Sequence, residues 1–221
     1  VQALDLSAFL YKISIWAIPT LSAITLHEVA HGWMARFFGD RTAELLGRLS
    51  LNPMRHIDPI GTVLVPGILL AIGGLVMGWA KPVPVATSVL RQPRRAMVFV
   101  ALAGPVANLL MASFWCAVLA AISRTYGNAT PIRWIALMCQ AGIFVNVVLA
   151  VFNLLPVPPL DGGRVLAGLL PPRLGGRLEK MEPFGLFLVL GFSVLRWLDW
   201  LFEPALRLMG RVVSGLLGSP A

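Results

Sequence analysis

Residues 6 to 38 form an apolar run, and inside it stands His27-Glu28-Val29-Ala30-His31. The run is long enough to cross about 30 Å of hydrocarbon as a helix. From Leu6 to Trp33 the only ionisable groups outside the motif are Tyr11 and Lys12. On a helix, His-Glu-x-x-His sets two imidazoles one turn apart on one face, a spacing that a single Zn²⁺ bridges. The glutamate beside them is then placed as a general base toward a water that the metal activates. A soluble helix tolerates a chance match of this pattern on a wet face. In lipid, two imidazoles and a carboxylate cost several kcal/mol without partners or a wet cavity, so the cluster reads as functional. A metalloprotease motif within a membrane span implies peptide-bond hydrolysis inside the bilayer.

Composition supports the membrane placement. Hydrophobic residues make up 57% of the 221-residue chain and charged residues 13%, against about 25% charged in soluble domains. The expectation is a multi-pass protein of the cell membrane. A net charge of +8 invites a nucleic-acid partner. The basic residues, however, lie mostly in short loops between apolar runs, as cytoplasmic loops held against anionic lipid do. No nucleic-acid partner is therefore expected. Cys116 and Cys139 both fall in apolar runs, which argues against a disulfide and against a thiolate zinc site. The first residues do not read as a signal peptide, because Asp5 stands where a basic cluster belongs and no small-x-small site precedes the motif.

Apolar segments near 6–38, 60–79, 96–123, 132–155 and 184–202 predict an all-α polytopic membrane protein with four to six membrane segments. It reads as a single membrane-embedded domain over residues 1–221, with its core at about 20–165 and a C-terminal membrane helix at about 184–202. Residues 39–53 differ in texture. They are polar, partly alternating and closed by Asn52-Pro53, which predicts a short strand or hairpin. Segment 60–79 either spans or re-enters. If it spans, the 18 basic residues divide 9 and 9 between the two sides; if it re-enters, they divide 12 and 6. Only re-entry satisfies the positive-inside rule, and Pro66-Gly67 and Gly73-Gly74 supply break points.

Two histidines leave a catalytic zinc one protein ligand short. Among the acids, Glu44, Glu179, Glu182 and Glu203 lie in loops or beyond the last span, whereas Asp161 closely follows an apolar helix. Pro156, Pro158 and Pro159 end that helix, and Gly162-Gly163 permit a tight turn after the acid. Locally, Asp161 serves equally well as a ligand or as a cap for the helix starting near Arg164. With segment 60–79 re-entrant, Asp161 and the two histidines approach the same membrane face, which favours the ligand.

Several ordered motifs now make the chain similar to a known family. They are His27-Glu-Val-Ala-His31, Leu51-Asn-Pro-Met-Arg-His-Ile-Asp-Pro-Ile-Gly61, Gly78-Trp-Ala-Lys-Pro-Val-Pro-Val85, Ala103-Gly-Pro-Val-Ala-Asn108 and Asn153-Leu-Leu-Pro-Val-Pro-Pro-Leu-Asp161-Gly-Gly. Together they resemble the site-2 proteases, intramembrane zinc metalloproteases of regulated intramembrane proteolysis, and most of all the compact bacterial subgroup without PDZ or CBS domains. The resemblance implies that His27, His31 and Asp161 hold one Zn²⁺ per chain and that Glu28 activates water. It also implies that Asn153 holds the substrate or the developing oxyanion. The substrates it implies are single-span membrane proteins, cut within or near their transmembrane segments.

Two further polar residues carry open alternatives. His56 fixes a loop, or acts behind a ligand or along a substrate channel. Asn108 bonds helix to helix in lipid, or orients a ligand or lines the site or a substrate channel. Trp197, Trp200 and Phe202 read as an interfacial aromatic belt. The 41–53 strand would offer an edge to which an extended substrate adds. The rival function is a non-proteolytic zinc-binding membrane protein or metal carrier, which calls for ligands on several spans and a path across the membrane. The sequence leaves the oligomeric state open.

Overall fold

The computed structural model describes residues 6–64, 81–126, 130–185 and 197–217. Within these the fold is all-α. Helix α1 runs Leu6–Phe37 and carries both histidines, and a single turn, α2 (Thr42–Leu45), follows it. Helices α3 (Pro93–Tyr126) and α4 (Thr130–Asn153) make a long pair. Two short helices come next, α5 (Asp161–Leu169) and α6 (Pro172–Glu179), and α7 (Trp197–Leu217) closes the described chain.

Three helical stretches are long and apolar enough to cross a membrane: Leu10–Phe37, Pro93–Tyr126 and Ile132–Asn153. The shortest has 22 residues, about 33 Å at the α-helical rise. The chain is thus a multi-pass membrane protein. Most of the predicted segment 60–79 and much of 184–202 lie outside the described residues. The ends that flank the first of these meet, however, since Lys81 N–H donates to His56 O at 2.9 Å.

Helix α3 is the central element, in contact with α1, α4, α5 and α7. Its outer half packs Trp115 and Leu119 against Cys139 and Ile143 of α4, with Met209 and Val213 of α7 alongside. Gly142 makes this fit possible, because a Cβ there would overlap the Trp115 ring. Many remaining apolar side chains on α1 and α3 face outward, including Trp16, Trp33, Leu110 and Phe114. That outward distribution belongs to a helix bundle solvated by lipid.

The predicted strand or hairpin at 39–53 is not formed. Residues 42–45 are helical, and 3₁₀ turns and bends follow. Local side chains explain the difference. Asp40 accepts the N–H of Thr42 at 2.9 Å, and Glu44 pairs with Arg41 at 2.7 Å and Arg36 at 3.2 Å. Gly47 then turns the chain with φ +64°, and Asn52 caps the Pro53–Arg55 turn through Met54 N–H. These contacts outcompete the short alternation at 48–51, for which no partner strand exists among the described residues.

Candidate active site

The Nε2 atoms of His27 and His31 lie 3.0 Å apart, and Asp161 Oδ2 stands 3.3 Å from the first and 3.4 Å from the second. All three side chains are buried or nearly so. Helix α1 supplies the imidazoles at i and i+4, one above the other on one face. Asp161 arrives from the first turn of α5, whose N-cap is Leu160. Asp161 therefore does not cap that helix; its carboxylate points into the cluster instead.

Each imidazole is anchored through its far nitrogen. His31 Nδ1 lies 2.6 Å from Val100 O, and His27 Nδ1 lies 2.6 Å from Asn108 Oδ1. A carbonyl oxygen only accepts, so these Nδ1 atoms carry the hydrogens and both Nε2 atoms present lone pairs. Helix α3 supplies this carbonyl at Val100. Three electron-rich atoms then face one another across 3.0–3.4 Å with no hydrogen to share. Asp161 Oδ2 is buried without a hydrogen-bond donor. A cation relieves such an arrangement, and two imidazoles plus one carboxylate is a donor set suited to a catalytic zinc. The cluster can coordinate a metal ion.

Close backbone approaches make room for the cluster. A Cβ on Gly104 would overlap the rings of both His27 and His31. Gly162 and Gly163 are likewise occluded, by the backbone of Leu154–Leu155 and Val157–Pro158. Sequence reasoning assigned these two glycines to a tight turn. They are helical, and what they permit is the seating of α5 on the proline-rich loop.

A cavity of about 340 Å³ opens beside the cluster, lined by His27, Glu28, His31, Asn153 and Asp161 together with Val83, Arg164 and Glu182. Five residues singled out from sequence thus share one cavity. Glu28 Oε2 accepts the N–H of Val83 at 2.8 Å. One N–H of Asn153 donates to Leu149 O at 3.0 Å within its own helix. Asn108 sits behind His27, completely buried, and also bonds across helices to Ala23 O and Asn146. The helix-to-helix bonds and the contact with His27 coexist. His56 is buried and is not among the residues that line the cavity, and its Nε2 lies 2.8 Å from Ser50 O within the same loop.

Sequence reasoning missed Val83, Asn146 and the Arg164–Glu182 pair, joined at 3.2 Å on the cavity wall. Asn146 gave the same signal as Asn108, an amide in an apolar helix. Val83 stood within the 78–85 motif but gave no signal of its own, since its contribution is a backbone N–H.

The comparisons with known proteins agree with this geometry. The sequence profile of Peptidase family M50 matches residues 16–132 and 120–194. YwhC of Bacillus subtilis, whose name describes a zinc metalloprotease, is 41% identical over 178 residues, 78% of each chain. Rip2 of Mycolicibacterium smegmatis, similarly named, is 31% identical over 198 residues, 88% of this chain and 71% of its own. Rip2 of Mycobacterium tuberculosis is 31% identical over 195 residues, with the same two coverages. No solved structure matches. With the family profile spanning the cluster and these relatives covering most of the chain, the chain belongs to Peptidase family M50, the site-2 proteases, as a membrane-embedded zinc metalloprotease.

Proposed function

We propose that this protein hydrolyses peptide bonds within or near the transmembrane segments of single-span membrane proteins. In this reading His27, His31 and Asp161 hold one zinc per chain. The observation that carries it is convergence: donor atoms from α1 and α5 lie within 4.8 Å of one another in the cavity that also receives Glu28. A rival metal carrier calls for ligands along a path across the membrane, whereas these three gather at one place.

Bound zinc supplies Lewis-acid chemistry, polarising a scissile carbonyl and lowering the pKa of water toward about 7. Glu28 takes the proton from the attacking water and delivers it to the departing amine. Its second oxygen is steadied by Val83 N–H. Asn153, on the same cavity wall, has one amide N–H left to offer to the substrate carbonyl. The substrate helix must unwind locally before its internally bonded backbone can enter.

The test uses the purified protein and a labelled single-span substrate, with and without a chelator that is then outcompeted by added zinc. Cleavage should stop on chelation and return with zinc. Cleavage that persists after metal analysis confirms removal of zinc would overturn the proposal.

A further inference from the structure

Two amides lie fully buried in the apolar bundle, Asn108 on α3 and Asn146 on α4. Asn146 Nδ2 donates to Gly142 O, one turn back, at 2.8 Å. A backbone carbonyl can only accept, so this bond decides which end of the Asn146 amide is nitrogen. Its Oδ1 is thereby committed as an acceptor toward α3. Asn108 Nδ2 donates to that oxygen at 2.9 Å and to Ala23 O at 3.3 Å. With its N–H groups spent, Asn108 presents Oδ1 to His27 Nδ1 at 2.6 Å. Each bond in the row has one permitted direction, set at Gly142 O, supported at Ala23 O and ending at His27.

We propose that Asn146 is a positioning residue of the metal centre, fixing through Asn108 the tautomer in which His27 presents the Nε2 lone pair. The inference rests on the reading of His27 as a metal ligand. Without the Asn146 acceptor, only the longer bond to Ala23 O, at 3.3 Å, holds the Asn108 amide, which then turns over more readily and offers its NH₂ to His27 Nδ1. That nitrogen must then accept, the hydrogen moves to Nε2, and the lone pair facing His31 and Asp161 is lost. Asn146 is not among the residues that line the cavity, and its route to His27 runs through Asn108.

The test reads zinc affinity of the purified protein by competition with a chromogenic chelator, with no substrate present. Asn146→Leu keeps the side-chain size and removes the acceptor. It should bind zinc about 10- to 100-fold more weakly, as outer hydrogen-bond partners of ligands do. The decisive comparison repeats the substitution in an Asn108→Asp background. A carboxylate accepts from His27 Nδ1 through either oxygen and needs no orientation from position 146. There Asn146→Leu should cost no more than about twofold in affinity, the limit of ordinary additivity, since it also removes an acceptor that faces the carboxylate. An equal loss in both backgrounds would assign Asn146 to helix packing and overturn the proposal, as would wild-type affinity in Asn146→Leu alone. If Asn146→Leu fails to accumulate, Asn146→Ala in the same two backgrounds gives the same comparison. A wild-type chain that binds no zinc would defeat the ligand reading instead.

Discussion

Val83 N–H donates to Glu28 Oε2 at 2.8 Å across 55 residues of sequence, so the carboxylate next to the histidines is held from outside its own helix. The Val83 segment reads Lys81-Pro-Val-Pro-Val85, and neither proline has an N–H to offer. Lys81 N–H is already bonded to His56 O. The donor at Val83 is therefore one of few available there, and it is spent on the catalytic cavity.

Glu28→Gln should keep this contact, because an amide oxygen still accepts from Val83 N–H. The variant should fold and retain metal while losing the proton acceptor. A loss of about 10²- to 10⁴-fold in cleavage rate is expected from removing a general base. Metal content and cleavage rate measured on one preparation check this. Loss of metal along with activity would make Glu28 a ligand.

Gly104→Ala should damage the centre without removing any donor atom. The added methyl overlaps both imidazole rings, so the rings or α3 must shift, at a cost of about 1–3 kcal/mol for overpacking. Metal content should fall while the three ligands remain in the sequence. Full metal occupancy in the alanine variant would show that the α1–α3 contact yields more readily than its geometry suggests.

The contrast between Gly104 and the 39–53 segment shows where sequence reasoning succeeds. His27 and His31 were legible because helical spacing alone puts them on one face. The three spanning helices were legible because lipid permits few alternatives to long apolar helices. Asp161 was locally legible as either of two roles, and only the argument that it approaches the same membrane face as the histidines favoured the ligand. Residues 39–53 misled because a short alternation was weighed without the polar contacts of Asp40 and Glu44. Asn146 and Val83 act through partners 38 and 55 residues away, and no local pattern encodes such partners.

Asp40 makes the loop beside the site sensitive to acid. Its buried carboxylate accepts the N–H of Thr42 at 2.9 Å and of Ala86 at 2.6 Å, tying the end of α1 to the segment that carries Val83. Burial alone would raise its pKa, but hydrogen bonds from Thr42 and Ala86 outweigh burial and hold it below the usual carboxylate value. A carboxyl depressed in the folded state contributes stability that is full above its unfolded value, about 3.9. That contribution is lost as pH falls through the folded value. Asp40→Asn should destabilise the protein near neutral pH, by about 1–3 kcal/mol, and flatten the acid limb of stability against pH. Thermal unfolding in detergent from pH 7 down to pH 3 checks both. An unchanged acid limb would remove Asp40 from this role.

Loops 39–59 and 81–92 should lie on one side of the membrane, together with 161–182. The bond from Lys81 to His56 O and the bond from Arg91 N–H to Phe38 O join the first two, and the histidine–aspartate cluster joins the third. By the positive-inside rule that side should be the cytoplasm. With Cys116 and Cys139 replaced, single cysteines at Ser50 and Ser88 should both resist a membrane-impermeant thiol reagent in whole cells and react after lysis. Labelling of either from outside would refute the shared cytoplasmic face.

Asn153 offers the sharpest test of how the cavity treats developing charge. It lies at the end of α4 on the cavity wall, and one of its two N–H groups is occupied by Leu149 O at 3.0 Å. That internal bond fixes the amide and leaves the other N–H for a substrate oxygen. Loss of one such donor typically costs about 10²- to 10³-fold in rate. Asn153→Ala should fold, keep its metal and cleave more slowly by that order, with the loss in kcat more than in KM. Asn153→Asp should be slower still, because a carboxylate repels the negative charge that forms and has no N–H to give. With metal content confirmed, near-normal turnover in Asn153→Ala would return this residue to helix packing, where its bond to Leu149 O would be its whole role.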